Sequence, residues 1–221
     1  MIGRTNAVIS MGEQPFVPPD DNSYILLTTH ATPSPRAYRL TFYVTKSDTS
    51  TLSIDWGDGN TETVTASGTT TVTHDYTTYG DMIVKLWISN GIGTYHIGGS
   101  TALSPQSEYI KHIRQIFIGK NNWDNAILTS NFRYCVALNK CVIPDTITTM
   151  GSTAFYELLQ PISIIIKATT PPVLSSASPT LFNNYVPSPL TRIAVPAASL
   201  DTYKTATNWS AYEAYMEAIE E

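Results

Sequence analysis

The clearest structural signal in this chain is the stretch Leu52-Ser53-Ile54-Asp55-Trp56-Gly57-Asp58-Gly59-Asn60. Its first half alternates apolar and polar residues up to Trp56. Side chains in a β-strand point to opposite faces with a period of two, so this half predicts a strand with one buried face. The second half is built from Gly, Asp and Asn, which predicts a tight turn with positive φ angles. Because strand-like sequence resumes at residues 61–66, the whole stretch predicts a β-hairpin.

Two short motifs and a closing strand extend the pattern beyond the hairpin. They are His74-Asp75-Tyr76, then Gly80, then the apolar strand at residues 82–88. With the Trp56-Gly57-Asp58-Gly59 turn, they resemble a PKD domain, whose usual pattern is a WGDG or FGDG turn, an H-x-Y and a Gly before a V-x-L-x-V strand. Met82 departs from that pattern, since the family usually has Tyr there. The resemblance covers residues 36–90 and implies an immunoglobulin-like β-sandwich, but it implies no particular chemistry.

Composition narrows the classes of function. Charged residues are 14% of the chain, whereas about 25% is usual in globular proteins. The 14 prolines and 12 glycines separate short strands, as in β-rich proteins of extracellular type. The net charge of −5 leaves no basic patch, so nucleic acid is not expected as a partner.

Short apolar segments recur in the second half of the chain, at residues 116–118, 141–143, 164–166 and 193–195. Their starts are 25, 23 and 29 residues apart (141−116, 164−141 and 193−164). Phe132, Phe155 and Phe182 begin related phrases between these segments. A period of this size predicts a stacked solenoid, in which each repeat buries its apolar face on the next.

The sequence at residues 142–155, VIPDTITTMGSTAF, is similar to the BspA-like leucine-rich repeat with its I-P-x-x-I-x-x-I-G-x-x-A-F phrase. The segments at residues 170–174 and 195–198 also look like that family. The resemblance covers residues 110–221 and implies a short leucine-rich-repeat solenoid. Residues 199–206 and 210–220 are predicted to form a C-terminal helical cap, since apolar residues of the second segment lie on one helical face.

These patterns predict a mainly β protein in three parts. Residues 1–22 form an extended N-terminal arm, residues 23–100 a PKD-like β-sandwich, and residues 101–221 a BspA-like leucine-rich-repeat domain with the helical cap. Pro and Gly interrupt any regular structure in the arm. It is interpreted either as a flexible leader or as an assembly arm that docks on a neighbouring subunit through the apolar residues Ile2, Val8, Ile9 and Phe16.

Tryptophan placement suggests one candidate contact surface. Trp56 and Trp87 lie in apolar strands and are predicted to be core residues. Trp123 lies instead in a polar segment with Asn121, Asn122 and Asp124. An exposed aromatic ring among amides would suit binding of a carbohydrate or a protein. The alternative, which we favour on general grounds, is a loop aromatic tucked over a repeat.

No cofactor or catalytic constellation is expected. Asp55, Asp58 and Asn60 are a weak calcium candidate, because one turn rarely supplies six or more oxygen ligands and turns need such side chains for their own hydrogen bonds. Cys135 and Cys141 lack the further ligands of a zinc site. They form either a disulfide or, as we prefer, two buried thiols. The sequence contains no P-loop, Rossmann or G-x-S-x-G motif.

The expected function is that of a non-enzymatic bacteriophage virion structural protein, in a tail or capsid appendage. Its partners would be other virion proteins or a second copy of itself, and a host-surface glycan or protein in attachment. Residues 1–7 look like the start of some short phage tail and appendage proteins. The N-terminus lacks an apolar core of signal-peptide length, which suggests either a removed leader or release by lysis.

Two alternatives to the virion function remain. One is a secreted or surface-anchored adhesin or glycan-binding protein of a gut bacterium, which would place the chain at the bacterial cell surface. The other is a glycan-active enzyme, which rests only on the association of PKD modules with such enzymes. No segment reaches the roughly 18 apolar residues that a membrane span needs.

Overall fold

A computed structural model describes residues 16–29, 38–98, 110, 112–175, 181–182 and 190–220. The predicted mainly-β class is confirmed, because strands in three sheets dominate this part of the chain. The described strands are β1 (Ser23–Thr29), β2 (Tyr38–Lys46), β3 (Thr51–Asp55), β4 (Thr61–Val64), β5 (Gly68–Tyr76), β6 (Gly80–Asn90), β7 (Tyr95–Ile97), β8 (Ile113–Phe117), β9 (Ala126–Ile127), β10 (Lys140–Ile143), β11 (Thr149–Met150), β12 (Ile162–Ile166), β13 (Val173–Leu174), β14 (Leu190–Val195) and β15 (Met216–Ala218).

The largest sheet has nine strands in the order β15-β14-β12-β10-β8-β1-β6-β3-β4. The strand β1 lies in the interior of this sheet and pairs antiparallel with β6 on one side and with β8 on the other. The predicted domain boundary near residue 100 therefore crosses a continuous sheet, because β1 and β8 lie on opposite sides of that boundary in sequence. The division into a sandwich and a repeat domain stays a prediction.

A second sheet, β5-β2-β7, packs against the antiparallel part of the large sheet. The predicted hairpin is present, with Leu52 opposite Val64 and Asp55 opposite Thr61. Trp56 follows β3 and is 1% exposed, and its ring lies 5.8 Å from the ring of Phe42. The apolar face read from the alternation is thus the core face.

Gly57 lies in the turn after β3, at a position where no other residue fits well. Its φ is +82°, and a Cβ atom there would lie 2.6 Å from the carbonyl oxygen of Ile83. Both the positive φ and the close approach favour glycine. Trp87 differs from the prediction, because it is half-buried on the opposite face of the large sheet, where the Lys85 ammonium lies 5.4 Å from its ring centre.

The second half of the chain stacks parallel strands at the predicted spacing. The strands β8, β10, β12 and β14 pair in parallel in the large sheet, and β9, β11 and β13 form a second parallel ladder. The rings of Phe132 and Phe155 lie 5.3 Å apart, and those of Phe155 and Phe182 lie 5.5 Å apart. These contacts are the stacking that the period predicts, and membership of a particular repeat family stays a prediction.

The backbone repeats as well as the side chains. Ser130 and Thr153 both have positive φ, of 59° and 56°, and so do Tyr134 and Glu157, at 69° and 59°. Both pairs are 23 residues apart (153−130 and 157−134). The hydroxyl groups of Ser130 and Thr153 share a hydrogen bond of 2.9 Å. Equivalent residues therefore adopt the same backbone conformation in successive repeats, and one equivalent pair, Ser130 and Thr153, is in direct contact.

The C-terminal cap is only partly helical. A short 3-10 segment at Ala197–Ser199 leads into the helix α1 (Leu200–Thr205), which lies within the predicted range, and Ser210–Tyr215 is again 3-10. The prediction of helix up to Glu220 is wrong, because the backbone becomes extended at Met216, with φ −87° and ψ 134°. Residues 216–218 pair in parallel with β14 and so extend the large sheet by one strand.

Candidate binding surface on the outer face of the large sheet

Trp123, the predicted contact residue, is buried. It is 4% exposed, and its ring packs edge-on against Tyr95 with 5.6 Å between centres. Its indole Nε1–H donates to the carbonyl oxygen of Ala126 at 3.3 Å. The interpretation as an exposed ring is therefore wrong. The favoured alternative, a loop aromatic tucked over a repeat, is confirmed as to burial, and the ring packs on Tyr95 of β7. A binding role for the loop itself stays a prediction.

The polar neighbours of Trp123 hold the loop in place. The Asn122 side chain donates to the carbonyl oxygen of Gly93 at 3.0 Å, and the Asn122 carbonyl accepts from the backbone N–H of Tyr95 at 2.8 Å. The N–H of Asp124 donates to the Tyr95 carbonyl at 2.9 Å, and the N–H of Asn121 donates to the Asp21 carbonyl at 3.0 Å. The loop is thus joined to β7 and to the N-terminal segment.

The oxygen atoms of the weak calcium candidate take part in hydrogen bonds of the turn. Asp55 accepts from the N–H of Gly57 at 2.9 Å, and Asp58 accepts from the N–H of Asn60 at 3.0 Å. The second Asp58 oxygen lies 2.7 Å from Nε2 of His74. Burial raises the pKa of Asp58, but the hydrogen bonds from His74 and Asn60 outweigh it and hold that pKa below its usual value. Across the described ranges, no group of three or more His, Cys, Asp or Glu residues could hold a metal ion.

The two cysteines are free and buried, as the preferred interpretation predicted. Burial raises the pKa of both the Cys135 and the Cys141 thiol. Since the thiolate is the reactive form, both residues are expected to be inert side chains of the core.

An apolar surface lies on the outer face of the large sheet, opposite the main core. Phe117, Val142 and Ile165 stand side by side there, because Phe117 pairs with Val142 and Val142 with Ile165 across β8, β10 and β12. Each is flanked in sequence by residues that point into the core. A run of three apolar residues in a strand places one of them on the second face. The runs of three apolar residues in the repeat segments therefore indicated this surface, although the sequence analysis assigned these residues only to the core.

Residues 16–22 cross this outer face. The Phe16 ring lies 5.3 Å from the Tyr24 ring and 5.2 Å from the Phe117 ring. The predicted arm residue Phe16 thus packs on its own chain, whereas Ile2, Val8 and Ile9 lie outside the described residues. Gly119 allows the close approach of this segment, since a Cβ atom there would lie 2.3 Å from the carbonyl oxygen of Asp21.

Asp20 fastens the segment to the sheet. One carboxylate oxygen accepts from the Tyr24 hydroxyl at 2.8 Å and from the N–H of Asn22 at 3.0 Å, and the other accepts from the Lys85 ammonium at 2.7 Å. Desolvation opposes the charge, but the hydrogen bonds, above all that from Lys85, lower the pKa of Asp20 to about 2. The carboxylate is therefore ionised at neutral pH and pairs β6 with the N-terminal segment.

A groove of about 280 Å³ opens between this segment and the strands. It has an apolar floor, and its lining also carries three lysines and two aspartates; the apolar residues include Phe16, Phe117, Val142, Ile165 and Ile219, and the charged ones are Lys120, Lys140, Lys167, Asp20 and Asp21. Such a concave apolar site with a few polar groups at its edge is the usual form of a binding site. We call this site the outer groove.

The charges at the rim differ in their pairing. Lys120 bonds to Asp145 at 3.0 Å. Lys140 is half-buried, and its ammonium lies 5.3 Å from the centre of the Phe117 ring. Burial lowers the pKa of Lys140, and the neighbouring Arg192 lowers it further. Lys140 has no carboxylate partner in the described part of the chain, so the side of the outer groove next to Lys140 suits an apolar group with a negative charge beside it, whereas Asp20 and Asp21 lie at the N-terminal segment.

Comparison with protein-family models gives no match to this chain, and a search of the curated proteins gives none either. The resemblances to the PKD and BspA-like families therefore rest on the residues quoted above. In the residues that the structure describes, no helix is long and apolar enough to cross a membrane.

Proposed function

We propose that this chain is a non-enzymatic structural protein of a bacteriophage virion, in a tail or capsid appendage, and that it acts by binding protein partners. In this proposal a PKD-like sandwich and a short BspA-like leucine-rich-repeat array both contribute surfaces to assembly. Its partners are other virion proteins or a second copy of itself, with attachment to the host surface as a further role. The observation that carries the proposal is the outer groove.

The chemistry of the outer groove favours a protein segment as its ligand. Apolar side chains such as Val142 and Ile165 lose contact with water when a partner covers them, which contributes roughly 25 cal/mol for each Å² of apolar surface buried. Lys140 and Lys167 at the rim suit Asp or Glu side chains that flank an apolar residue of the partner. Complementary charges of this kind chiefly improve specificity and the association rate.

The use of polar side chains in the described residues also favours a structural role. Asp58 and His74 stabilise a turn, Asp20 and Lys85 fasten the N-terminal segment, and Arg133 and Glu157 link successive repeats at 3.2 Å. Each of these charged groups has a structural partner.

Several such modules in one symmetric particle would raise the apparent affinity by roughly 10²–10⁴ through multivalency.

The experiment is to purify particles from a culture that produces the tagged chain and to identify their proteins by mass spectrometry. The proposal expects the chain in the particle fraction. It expects Ile165→Lys to reduce incorporation, because the new charge would lie in an apolar floor bordered by lysines. The matched control is Thr63→Lys, which adds the same charge at an exposed site on the far end of the large sheet.

The outcomes separate the candidate functions. Recovery of the chain only in the cell-envelope fraction would overturn the virion proposal in favour of the surface adhesin. Equal incorporation of the Ile165→Lys and Thr63→Lys variants would remove the outer groove from the assembly contact. Deletion of residues 2–19 tests the proposed assembly arm. We expect this deletion to reduce incorporation, and unchanged incorporation and oligomerisation would contradict a role of the arm in assembly.

A further inference from the structure

The strand β5 is the free edge of the three-stranded sheet β5-β2-β7. It pairs with β2 over nine consecutive residues, from Gly68 opposite Lys46 to Tyr76 opposite Tyr38, without a bulge. In an antiparallel strand, backbone N–H and C=O groups point alternately to the two sides. Those of β5 that point away from β2 have no hydrogen-bond partner in the described part of the chain.

The other edge strands of the described sheets are much shorter. β4 has four residues, β15 and β7 have three, and β9 and β13 have two, whereas β5 has nine. Proteins protect long edges from pairing with other chains by Lys or Pro residues, bulges or short strands. The β5 sequence GTTTVTHDY contains no Lys, no Pro and no bulge. Its acidic residue Asp75 is paired with Arg39 of β2. The alternate residues Thr69, Thr71, Thr73 and Asp75 of β5 are exposed.

We propose that β5 pairs antiparallel with β5 of a second copy of this chain, about a twofold axis at Val72. This register is the one that pairs all nine residues of the strand, from Gly68 with Tyr76 of the second copy to Tyr76 with its Gly68. The two three-stranded sheets then form one six-stranded sheet. The inference goes beyond the proposed function, because it concerns the isolated protein and holds equally for a virion protein or an adhesin.

The charges and side chains of β5 favour this geometry over a parallel one. In the antiparallel pairing Asp75 lies opposite Thr69, and Thr71 lies opposite Thr73. A parallel pairing in register would place the two Asp75 carboxylates side by side, and like charges directly opposite each other destabilise a sheet. Cross-strand threonine pairs already occur within the chain, since the hydroxyl groups of Thr41 and Thr73 lie 3.0 Å apart.

The test is the mass of the purified full-length protein in solution, measured by sedimentation equilibrium over a range of concentrations. The wild type is expected to form a dimer. The double variant Thr71→Lys with Thr73→Lys places two pairs of like charges across the axis, and should weaken association by roughly tenfold or more. The double variant Thr71→Lys with Thr73→Glu places opposite charges across the same axis, and is expected to dimerise like the wild type.

The matched control is Thr61→Lys with Thr63→Lys, which adds the same charges to exposed residues of the short edge strand β4. It should leave the dimer unchanged. Circular dichroism and the melting temperature verify that every variant is folded. A wild type that stays monomeric, a dimer that survives the Lys–Lys variant, or a Lys–Glu variant that fails to recover association would each overturn the proposal. None of these results depends on whether the chain enters a particle.

Discussion

The two halves of the nine-stranded sheet are stabilised by different kinds of contact. In the first half, long antiparallel strands such as β6, with eleven residues, enclose a core of large side chains that includes Trp56 and Phe42. In the second half, short parallel strands repeat, and one phenylalanine of each repeat packs on the next. One half therefore depends on single large residues, and the other on contacts repeated along a stack.

Polar contacts follow the same division. In the first half they run across adjacent strands, as in the bidentate pair of Arg39 and Asp75, at 2.6 and 2.7 Å. In the second half they join equivalent positions of successive repeats, as between Ser130 and Thr153. A substitution in the first half is therefore expected to disturb the packing of one core. A substitution in the second half is expected to weaken the contacts with the adjacent repeats in the stack.

The largest loss of stability is expected from a substitution at Trp56. Replacement by alanine should lower the free energy of unfolding by about 3–5 kcal/mol, the usual range for truncating a buried aromatic residue. Urea denaturation followed by circular dichroism measures it. Trp87→Ala is the control, since Trp87 is half-buried on the outer face, and its loss should be smaller. A loss below about 1 kcal/mol for Trp56→Ala, which is typical of surface sites, would contradict the dependence on a single large residue.

A smaller loss is expected at the turn that follows Trp56. Gly57→Ala should destabilise the protein by about 2–3 kcal/mol, because it combines a strained positive φ with a close approach to the backbone of Ile83. Gly59→Ala is the matched control, since its φ of +96° is also positive but no atom lies within 4 Å of a Cβ there. It should cost only the conformational strain, about 1–2 kcal/mol. Equal losses in thermal unfolding would show that the close approach at Gly57 is easily relieved.

Substitutions in the phenylalanine stack of the second half should lower the stability by graded amounts. Phe155→Leu keeps most of the apolar volume but removes two ring contacts, with Phe132 and Phe182. We expect a loss of about 1–3 kcal/mol, since each aromatic pair contributes roughly 0.5–1.5 kcal/mol beyond burial. Phe132→Leu removes only its contact with Phe155 in this stack, and about half of that loss is expected. Equal losses in chemical denaturation would argue against a stack in which interior members contribute twice.

The smallest effect concerns Asp20, which joins the N-terminal segment to the antiparallel half. Its folded pKa of about 2 lies below the unfolded value of about 3.9. Its contribution is therefore present above about pH 4 and is lost as the pH falls towards the folded pKa. Asp20→Asn should cost up to about 1 kcal/mol at neutral pH, since the pair with Lys85 is partly exposed.

Comparison of wild type and Asp20→Asn in urea at several pH values provides the measurement. The difference between them should shrink as the pH falls from about 4 to 2. Asp21→Asn, at the neighbouring exposed residue, is the control. A difference that stays constant over this range would mean that ionisation of Asp20 does not fasten the segment.

Local sequence patterns predicted much of the fold but little of the binding surface. Leu52, Ile54 and Trp56 are buried as their alternation required, because the period of side chains along a strand is a property of the local backbone. The local pattern left Trp123 open between an exposed and a buried ring, because it does not show which distant groups the flanking residues contact. The polar neighbours of Trp123 suggested exposure, but these neighbours bond to β7 and the N-terminal segment, and the ring faces Tyr95.

The sequence by itself determined the mainly-β class, the hairpin at residues 52–66, the spacing of the repeated strands and the burial of the cysteines. All of these follow from residue types a few positions apart, or from a regular period. Only the tertiary structure decided that β1 joins the two halves, that Met216 begins a strand, that Phe16 lies over Phe117, and that β5 is a long free edge in the described part of the chain. The physical reason is that strand pairing and burial depend on which distant segments meet, and the local pattern of a strand does not specify its neighbour.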